Sequence, residues 1–163
     1  MRILVGADGY GFELKESVRE HLCKQGFEVE DLGVGNREES VPYYQIASEV
    51  AQQVGQGLAD RGILVCGTGM GMSIIANKHP GVYAAVCETA YAAQKSRSIN
   101  NANILTLGGF ITTPQVAQTI VDTWLMTEFA LEWEPTIQDW LHQSMTDIML
   151  LEQRQFSKDA DHR

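Results

Sequence analysis

The chain has 163 residues, 44% of them hydrophobic and 20% charged, with a formal net charge of -9. That length fits one domain able to bury a core without disulfide or metal staples. The acidic balance excludes an extended nucleic-acid or anionic-membrane surface, which needs clustered Lys and Arg, but leaves room for a small anion held by a local positive site.

The N-terminus runs straight into a strand pattern, Ile3-Leu4-Val5 closed by Gly6. It lacks the charged, apolar and small-residue regions of a secretory signal, and no apolar run approaches membrane-spanning length. From Gly11 to Gln25 the apolar residues Phe12, Leu14, Val18 and Leu22 recur at helical spacing, with Gly26 as the stop. Phe27 to Leu32 reads as a second strand, and Gly33-Val34-Gly35-Asn36 as a turn. Tyr44 to Val54 is a helix with Ile46, Ala47, Val50, Ala51 and Val54 inward. Gly62 to Cys66 is a third strand, followed by a glycine-rich loop and a helix from Met72 to Asn77. Val82 to Val86 is a fourth strand, with a helix from about Thr89 to Arg97. Ile104 to Leu107 is a fifth strand, closed by Gly108-Gly109. Pro114 opens a helix towards Met126, with Thr113 as its expected cap.

Strands alternating with helices imply an α/β fold, a Rossmann-like three-layer sandwich whose five-stranded parallel sheet carries helices on both faces. Trp133, Ile137, Trp140, Leu141, Ile148 and Leu151 fall at helical spacing, so about 135 to 153 is a long amphipathic C-terminal helix. It must pack on its own sheet or on a partner subunit, and Trp133 and Trp140 are expected in the core. Residues 1–156 form a single domain, and 157–163 a polar tail. Cysteines number three, Cys23, Cys66 and Cys87, an odd and widely spaced set. They give neither a disulfide framework nor a zinc site, and a reduced, cytoplasmic compartment is expected. Cys23 and Cys87 are read as structural. His21, His79 and the Glu38-Glu39 pair are read as solvated.

In an open parallel sheet, ligands bind beyond the C-terminal strand ends. Asp8-Gly9-Tyr10-Gly11 follows the first strand there, and Cys66-Gly67-Thr68-Gly69-Met70-Gly71-Met72-Ser73 follows the third. Gly67, Gly69 and Gly71 let the backbone turn tightly and aim several N–H groups into one cavity. Such a nest stabilises a phosphate or a developing oxyanion. A thiol at its mouth gains from the same field as a base or nucleophile, and Thr68 can bond a substrate oxygen. No P-loop lysine follows, and a dinucleotide fingerprint is weak. A third segment, Ser98-Ile99-Asn100-Asn101, lies at the opposite end of its strand and would more easily serve a neighbouring subunit. Read without any likeness, the glycine loop equally describes a tight turn beside an inert cysteine.

These segments resemble the family of type B ribose-5-phosphate isomerases and galactose-6-phosphate isomerase subunits, over roughly residues 1 to 127. The likeness is carried by Gly6-Ala7-Asp8 with Gly11-Phe12 and Leu14-Lys15. It continues through Gly62 to Gly71, Ala76-Asn77-Lys78, and Ser96-Arg97 with Asn100 and Asn103. The resemblance implies an aldose–ketose isomerase working as a homodimer or tetramer with shared active sites, without metal or other cofactor. By that likeness Cys66 moves a proton between C1 and C2 through a cis-enediolate. Gly67, Gly69, Met70 and Gly71, with Asn100, hold the enediolate oxygens. Thr68 relays or polarises, and Asp8, Gly9 and Tyr43 line the sugar. The implied alternatives are a non-catalytic partner subunit of a hetero-oligomer, or a sugar-binding protein.

The chain also departs from the family pattern. Gly9 stands where a His follows the first Asp, Ile99 where a second His helps to open the sugar ring, and Phe110 where an Arg ends the fifth strand. No Lys or Arg occurs between Arg97 and Arg154, where the family grips phosphate, and the C-terminal region offers Trp133, Trp140 and His142 instead. The substrate is therefore expected to need no ring opening, as with a four-carbon sugar blocked at C4, and to carry something other than phosphate.

Overall fold

In the computed structural model, residues 1–157 are described. All of the expected polar tail except Ser157 lies outside them. Five strands form one parallel sheet: β1 (Arg2–Ala7), β2 (Glu28–Asp31), β3 (Arg61–Cys66), β4 (Ala84–Val86) and β5 (Ile104–Gly108). The helices are α1 (Phe12–Lys24), α2 (Tyr43–Gly55), α3 (Met70–Ala76), α4 (Ala90–Ser98), α5 (Pro114–Met126) and α6 (Pro135–Ser157). The strand order is β2-β1-β3-β5-β4. From β1 the chain goes one way to β2, then returns past β1 to β3, so the topological switch falls between β1 and β3. A crevice opens at that point beyond the strand ends.

Side chains alternate across a strand, and the two faces bury different partners. Ile3, Val5, Ile63, Val65, Leu105 and Leu107 pack with residues of α1, α4 and α5, including the fully buried Trp124. Leu4, Leu64 and Ile104 pack with α2 and α3 through Ile46, Val50, Val54 and Met72. The central strands are apolar on both faces, as a sheet covered by helices on both sides requires.

β4 is shorter than its apolar run. As an edge strand it is held partly by side chains: Tyr83 N–H donates to Asn103 Oδ1 at 2.8 Å and Ala84 N–H to Asn77 Oδ1 at 2.8 Å. Asn77 Nδ2 in turn donates to the Ala84 carbonyl at 2.9 Å. Two asparagines of the family-like motifs thus serve the sheet edge. Asn101, at φ 50° in the turn after α4, accepts from the buried Arg97 guanidinium at 2.8 Å. Burial holds Arg97 down to about 10.

Several local expectations are corrected. Thr113 occupies the cap position of α5 but makes no side-chain cap bond, and the helix starts on the preset φ of Pro114. His21 is not solvated: its Nε2 meets Asp122 Oδ1 at 2.7 Å and ties α1 to α5. His79 Nε2 meets Ser48 Oγ at 3.0 Å, and burial lowers its pKa. Cys23 is exposed, whereas Cys87 is buried.

Trp140 is not core in this chain: it is 63% exposed, and Leu141 is the buried residue of α6. Trp133 is half-buried under Lys95, whose Nζ lies 4.6 Å from the ring centroid. α6 touches the body through Glu152, which accepts the Gly81 N–H at 2.8 Å, and through the edge-on pair of His142 with Phe129. Its stripe of Ile137, Trp140, Ile148 and Leu151 is left uncovered. Among the described residues, no helix is long and apolar enough to cross a membrane.

Candidate active site

Cys66 is the last residue of β3, the strand that borders the switch point. Its Gly108 neighbour on β5 fixes its height in the sheet. The residue is 6% exposed, and its Sγ accepts the Gly69 N–H at 3.1 Å. Two backbone bonds pin the loop to β5: Gly109 N–H to the Cys66 carbonyl at 2.7 Å, and Phe110 N–H to the Gly67 carbonyl at 3.0 Å. Gly69 has φ +76°, and a Cβ there would meet the backbone of Leu107 at 2.9 Å. Only a glycine lets the loop curl this closely over β5. Thr68 is exposed, with Oγ1 weakly capping the Met70 N–H at 3.4 Å. Among the described residues, the N–H groups of Thr68 and Gly71 have no protein partner, so the expected nest retains donors for a ligand oxygen.

Asp8 lies just past β1, on the other side of the switch. Its Oδ1 accepts the N–H groups of Tyr10 and Gly11, both at 3.0 Å, closing a tight turn. Gly11 packs that turn directly onto β3, where a Cβ would come within 2.3 Å of the Val65 carbonyl oxygen. Burial pushes the Asp8 carboxyl above its ordinary value, against the pull of the two N–H donors. The carboxylate is thus adjacent to the Cys66 loop and only partly satisfied by the chain.

Aromatic side chains frame the two turns. Phe110 lies against Gly67, with ring carbons 2.7 and 3.0 Å from where a Cβ would stand, and meets Tyr10 edge-on at 5.6 Å. On the opposite side Tyr43, at the first turn of α2, lies against Gly71 in the same way at 2.8 Å. Tyr43 also borders a cleft of about 400 Å³ shared with Asp8, Gly9, Tyr10 and the loop of residues 37–42. The β1 turn and the start of α2 line this cleft, and Tyr43 and Gly11 join it to the Cys66 loop by packing on Gly71 and on the Val65–Cys66 backbone. Among the described residues, no three His, Cys, Asp or Glu side chains gather as a metal site would require.

The site residues expected from sequence divide in two. Asp8, Gly9, Tyr43, Cys66, Gly67, Thr68, Gly69, Met70 and Gly71 come together at the switch point. Asn100 does not: it is exposed in the turn before β5. That strand runs from Ile104 to Gly108, about 13 Å at ~3.3 Å per residue, and puts Asn100 at the opposite end of the sheet from Cys66. Met72, by contrast with the exposed Met70, is fully buried core. Sequence reasoning passed over Arg37 and read the Glu38-Glu39 pair beside it as solvated; both glutamates are exposed, and both border the cleft. The loop of residues 35–39 borders the cleft because its backbone sits on Gly9, with the Arg37 carbonyl oxygen 2.5 Å from where a Cβ would stand.

The family model for ribose/galactose isomerase matches residues 3–138. The 4-deoxy-4-sulfo-D-erythrose isomerase of Clostridium sp. (strain MSTE9) is 42% identical over 158 residues, covering 97% of this chain and 99% of its own length. The D-erythrulose-4-phosphate isomerase of Pectobacterium atrosepticum is 38% identical over 129 residues, covering 79% of this chain and 85% of its own. Among solved structures, the Clostridium thermocellum ribose-5-phosphate isomerase B superposes with a TM-score of 0.85 at 42% identity. That match covers 94% of this chain and 99% of the other.

Proposed function

This chain belongs to the ribose/galactose isomerase family, and on that premise we propose that it interconverts an aldose and a ketose of four carbons whose C4 carries an anionic group in place of the hydroxyl. A 4-deoxy-4-sulfotetrose fits best. Two of the relatives are named for four-carbon substrates, and one of these for a sugar sulfonated at C4. A four-carbon aldose closes its ring through O4. Replacing that hydroxyl with a C–S bond leaves an open-chain aldehyde, so no acid is needed to open a ring. Ile99 and Gly9, where the family pattern has histidines, suit such a substrate.

Cys66 acts as the base. Its thiolate removes the C2 proton of the aldose, and the C1=O π electrons move to oxygen to give a cis-enediolate. The proton is then returned to C1 while a hydrogen passes between O1 and O2, leaving the C2 ketone. Thr68 carries that hydrogen, and the N–H groups of Thr68 and Gly71, which have no protein partner among the described residues, hold the oxygen that becomes negative. Asp8 and Tyr43 bind hydroxyls. The observation that carries this reading is the buried Cys66 thiol held at the mouth of a nest with unused donors. Asn100 completes the site from a second subunit of a homo-oligomer, which also covers the apolar stripe of α6; the oligomer works without metal or other cofactor.

The test is exchange of the C2 proton of 4-deoxy-4-sulfo-D-erythrose in deuterated water, with Cys66→Ala beside the wild type. Wild type should give exchange and ketose, and the variant at least a ~100-fold slower rate. Equal rates in the two proteins would remove Cys66 from the chemistry. No exchange by wild type on the sulfonated sugar, with exchange on ribose 5-phosphate, would overturn the substrate.

A further inference from the structure

The proposed substrate carries a negative charge at C4, yet the stretch between Arg97 and Arg154 has no cation to hold it. We propose that Arg37, on the loop between β2 and α2, is the residue that grips the anionic end of the substrate, and that it selects a monoanion such as sulfonate over phosphate. This assignment rests on the isomerase reading above for the identity of the sugar, not for the existence of the site.

Elimination points to Arg37 first. Arg2, Lys15, Arg19, Lys24 and Lys95 are each paired with a carboxylate. Arg97 is spent on Asn101 Oδ1 and on the carbonyls of Ala102 and Thr127. The remaining cations stand at the wrong end of the sheet. Arg61 opens β3, Lys78 follows the last turn of α3, and Arg154 lies beside Glu152, which reaches Gly81 before β4. Arg37 alone among the described Lys and Arg borders the cleft at the switch point, and it has no hydrogen-bond or ion-pair partner there.

The local backbone supports the same assignment. Asn36 Oδ1 accepts the N–H groups of Glu38 and Glu39 at 3.0 and 3.1 Å, and Glu39 Oε2 accepts the Gly35 N–H at 2.7 Å. These bonds fix a tight turn with Arg37 as its second residue. The turn rests on Gly9, where any Cβ would collide with the Arg37 carbonyl. Losing a side chain at position 9 is therefore what admits the loop. Lys15 Nζ donates to the Val34 carbonyl at 2.8 Å and anchors the loop's base. Gly9 and Arg37 form one device: the position that lacks the family's histidine seats the backbone of the loop that carries the cation.

Charge number follows from the surroundings. The cleft also holds Asp8, Glu38 and Glu39. One guanidinium can pair with at most one negative charge, and these carboxylates repel any further charge on the ligand, which penalises a phosphate ester carrying ~1.5 to 2 charges at pH 7 more than a monoanion. Guanidinium can offer two parallel N–H donors to two oxygens of one anion.

The probe is 4-deoxy-4-sulfo-erythritol, the reduced substrate, which binds but cannot isomerise. Its titration into wild type, Arg37→Gln and Arg37→Lys is compared with that of the unsulfonated 1-deoxyerythritol and of erythritol 4-phosphate. Expected results are a Kd for the sulfonate at least tenfold weaker in R37Q, an intermediate value in R37K, and no change for the uncharged alditol. Equal losses on charged and uncharged alditols, no loss in R37Q, or no sulfonate binding by wild type would overturn the proposal. Phosphate binding tighter than sulfonate would overturn the monoanion selection. Arg37-dependent sulfonate binding with no Cys66-dependent isomerisation would sink the isomerase reading and uphold the anion site.

Discussion

Gly69→Ala tests whether the closeness of the Cys66 loop to β5 is what builds the site. Two costs add at this position. The residue has φ +76°, where a side chain costs about 1–2 kcal/mol. Its Cβ would also stand 2.9 to 3.1 Å from three backbone atoms of Leu107, which a packed central strand cannot yield; overpacking of that kind costs about 1–3 kcal/mol. The sum is about 2–5 kcal/mol. Gly26 provides the control, because it has φ +85° with nothing within 4 Å, so Gly26→Ala should cost the conformational part alone, about 1–2 kcal/mol. Urea unfolding measures both. The exchange assay should also separate them. Moving the loop off β5 carries away the Gly69 N–H that meets Cys66 Sγ, and a misplacement of 1 Å costs about 100-fold in rate, while Gly26→Ala should keep wild-type turnover. If Gly69→Ala is no less stable than Gly26→Ala and equally active, the close approach is incidental and the nest does not depend on it.

Asp8→Asn keeps an oxygen for the Tyr10 and Gly11 N–H groups. Burial raises the native carboxyl above its ordinary 3.8, so the folded state holds more protons than the unfolded state just above that pH, and wild-type stability falls as pH rises through the window. The variant should escape that loss, gaining on wild type as pH rises above 3.8, while losing about 10- to 100-fold in kcat/KM as one charge-assisted bond is removed. His79 has the opposite sign. Burial lowers its pKa, so the unfolded state takes protons first and stability is lost as pH falls through 6.5; thermal melts of His79→Gln should be flatter than wild type between pH 7 and 5. Trp140 and Leu151 are 63% and 55% exposed on one stripe of α6. Light scattering of wild type should give a multiple of 18.1 kDa, and the double change to Glu should give the single-chain mass; a wild-type monomer would refute the covered stripe.

The sequence-legible parts of the fold are those set by local pattern. Apolar runs such as Ile63-Leu64-Val65 are buried on both faces and could only be central strands, and α1, α2 and α5 begin and end within about two residues of their expected bounds. The turn after β3 is legible for the same reason: among three alternating glycines within five residues, Gly69 takes the positive φ that a tight curl needs. What failed was set by distant partners. His21 and His79 look like surface residues until Asp122 and Ser48 are brought to them by packing. Trp140 has the spacing of a core residue, but spacing reports only that an apolar face exists, not which surface covers it.

Gly9 shows the limit most clearly. As a sequence departure it signals something missing, the histidine of the family pattern. In the structure it is a seat: the space left by the absent Cβ is filled by the Arg37 carbonyl, with the Glu39 carbonyl oxygen at 3.7 Å. The two positions are 28 residues apart, on either side of α1 and β2, so no local pattern couples them. The same holds for Phe110, which replaces a cation in the family pattern and lies against Gly67 while meeting Tyr10 edge-on. Both departures lie beside the Asp8 turn, and neither side chain takes part in the bonds from Gly69 N–H to Cys66 Sγ and from Gly109 N–H to the Cys66 carbonyl, although Phe110 reaches the loop through its own N–H on the Gly67 carbonyl. Proton transfer between C1 and C2 is the same reaction whatever terminates the sugar, so the nest can stay fixed while its surroundings change. It follows that restoring a side chain at Gly9 should displace the loop and weaken anion binding as Arg37→Gln does, without slowing the Cys66 step once substrate is saturating.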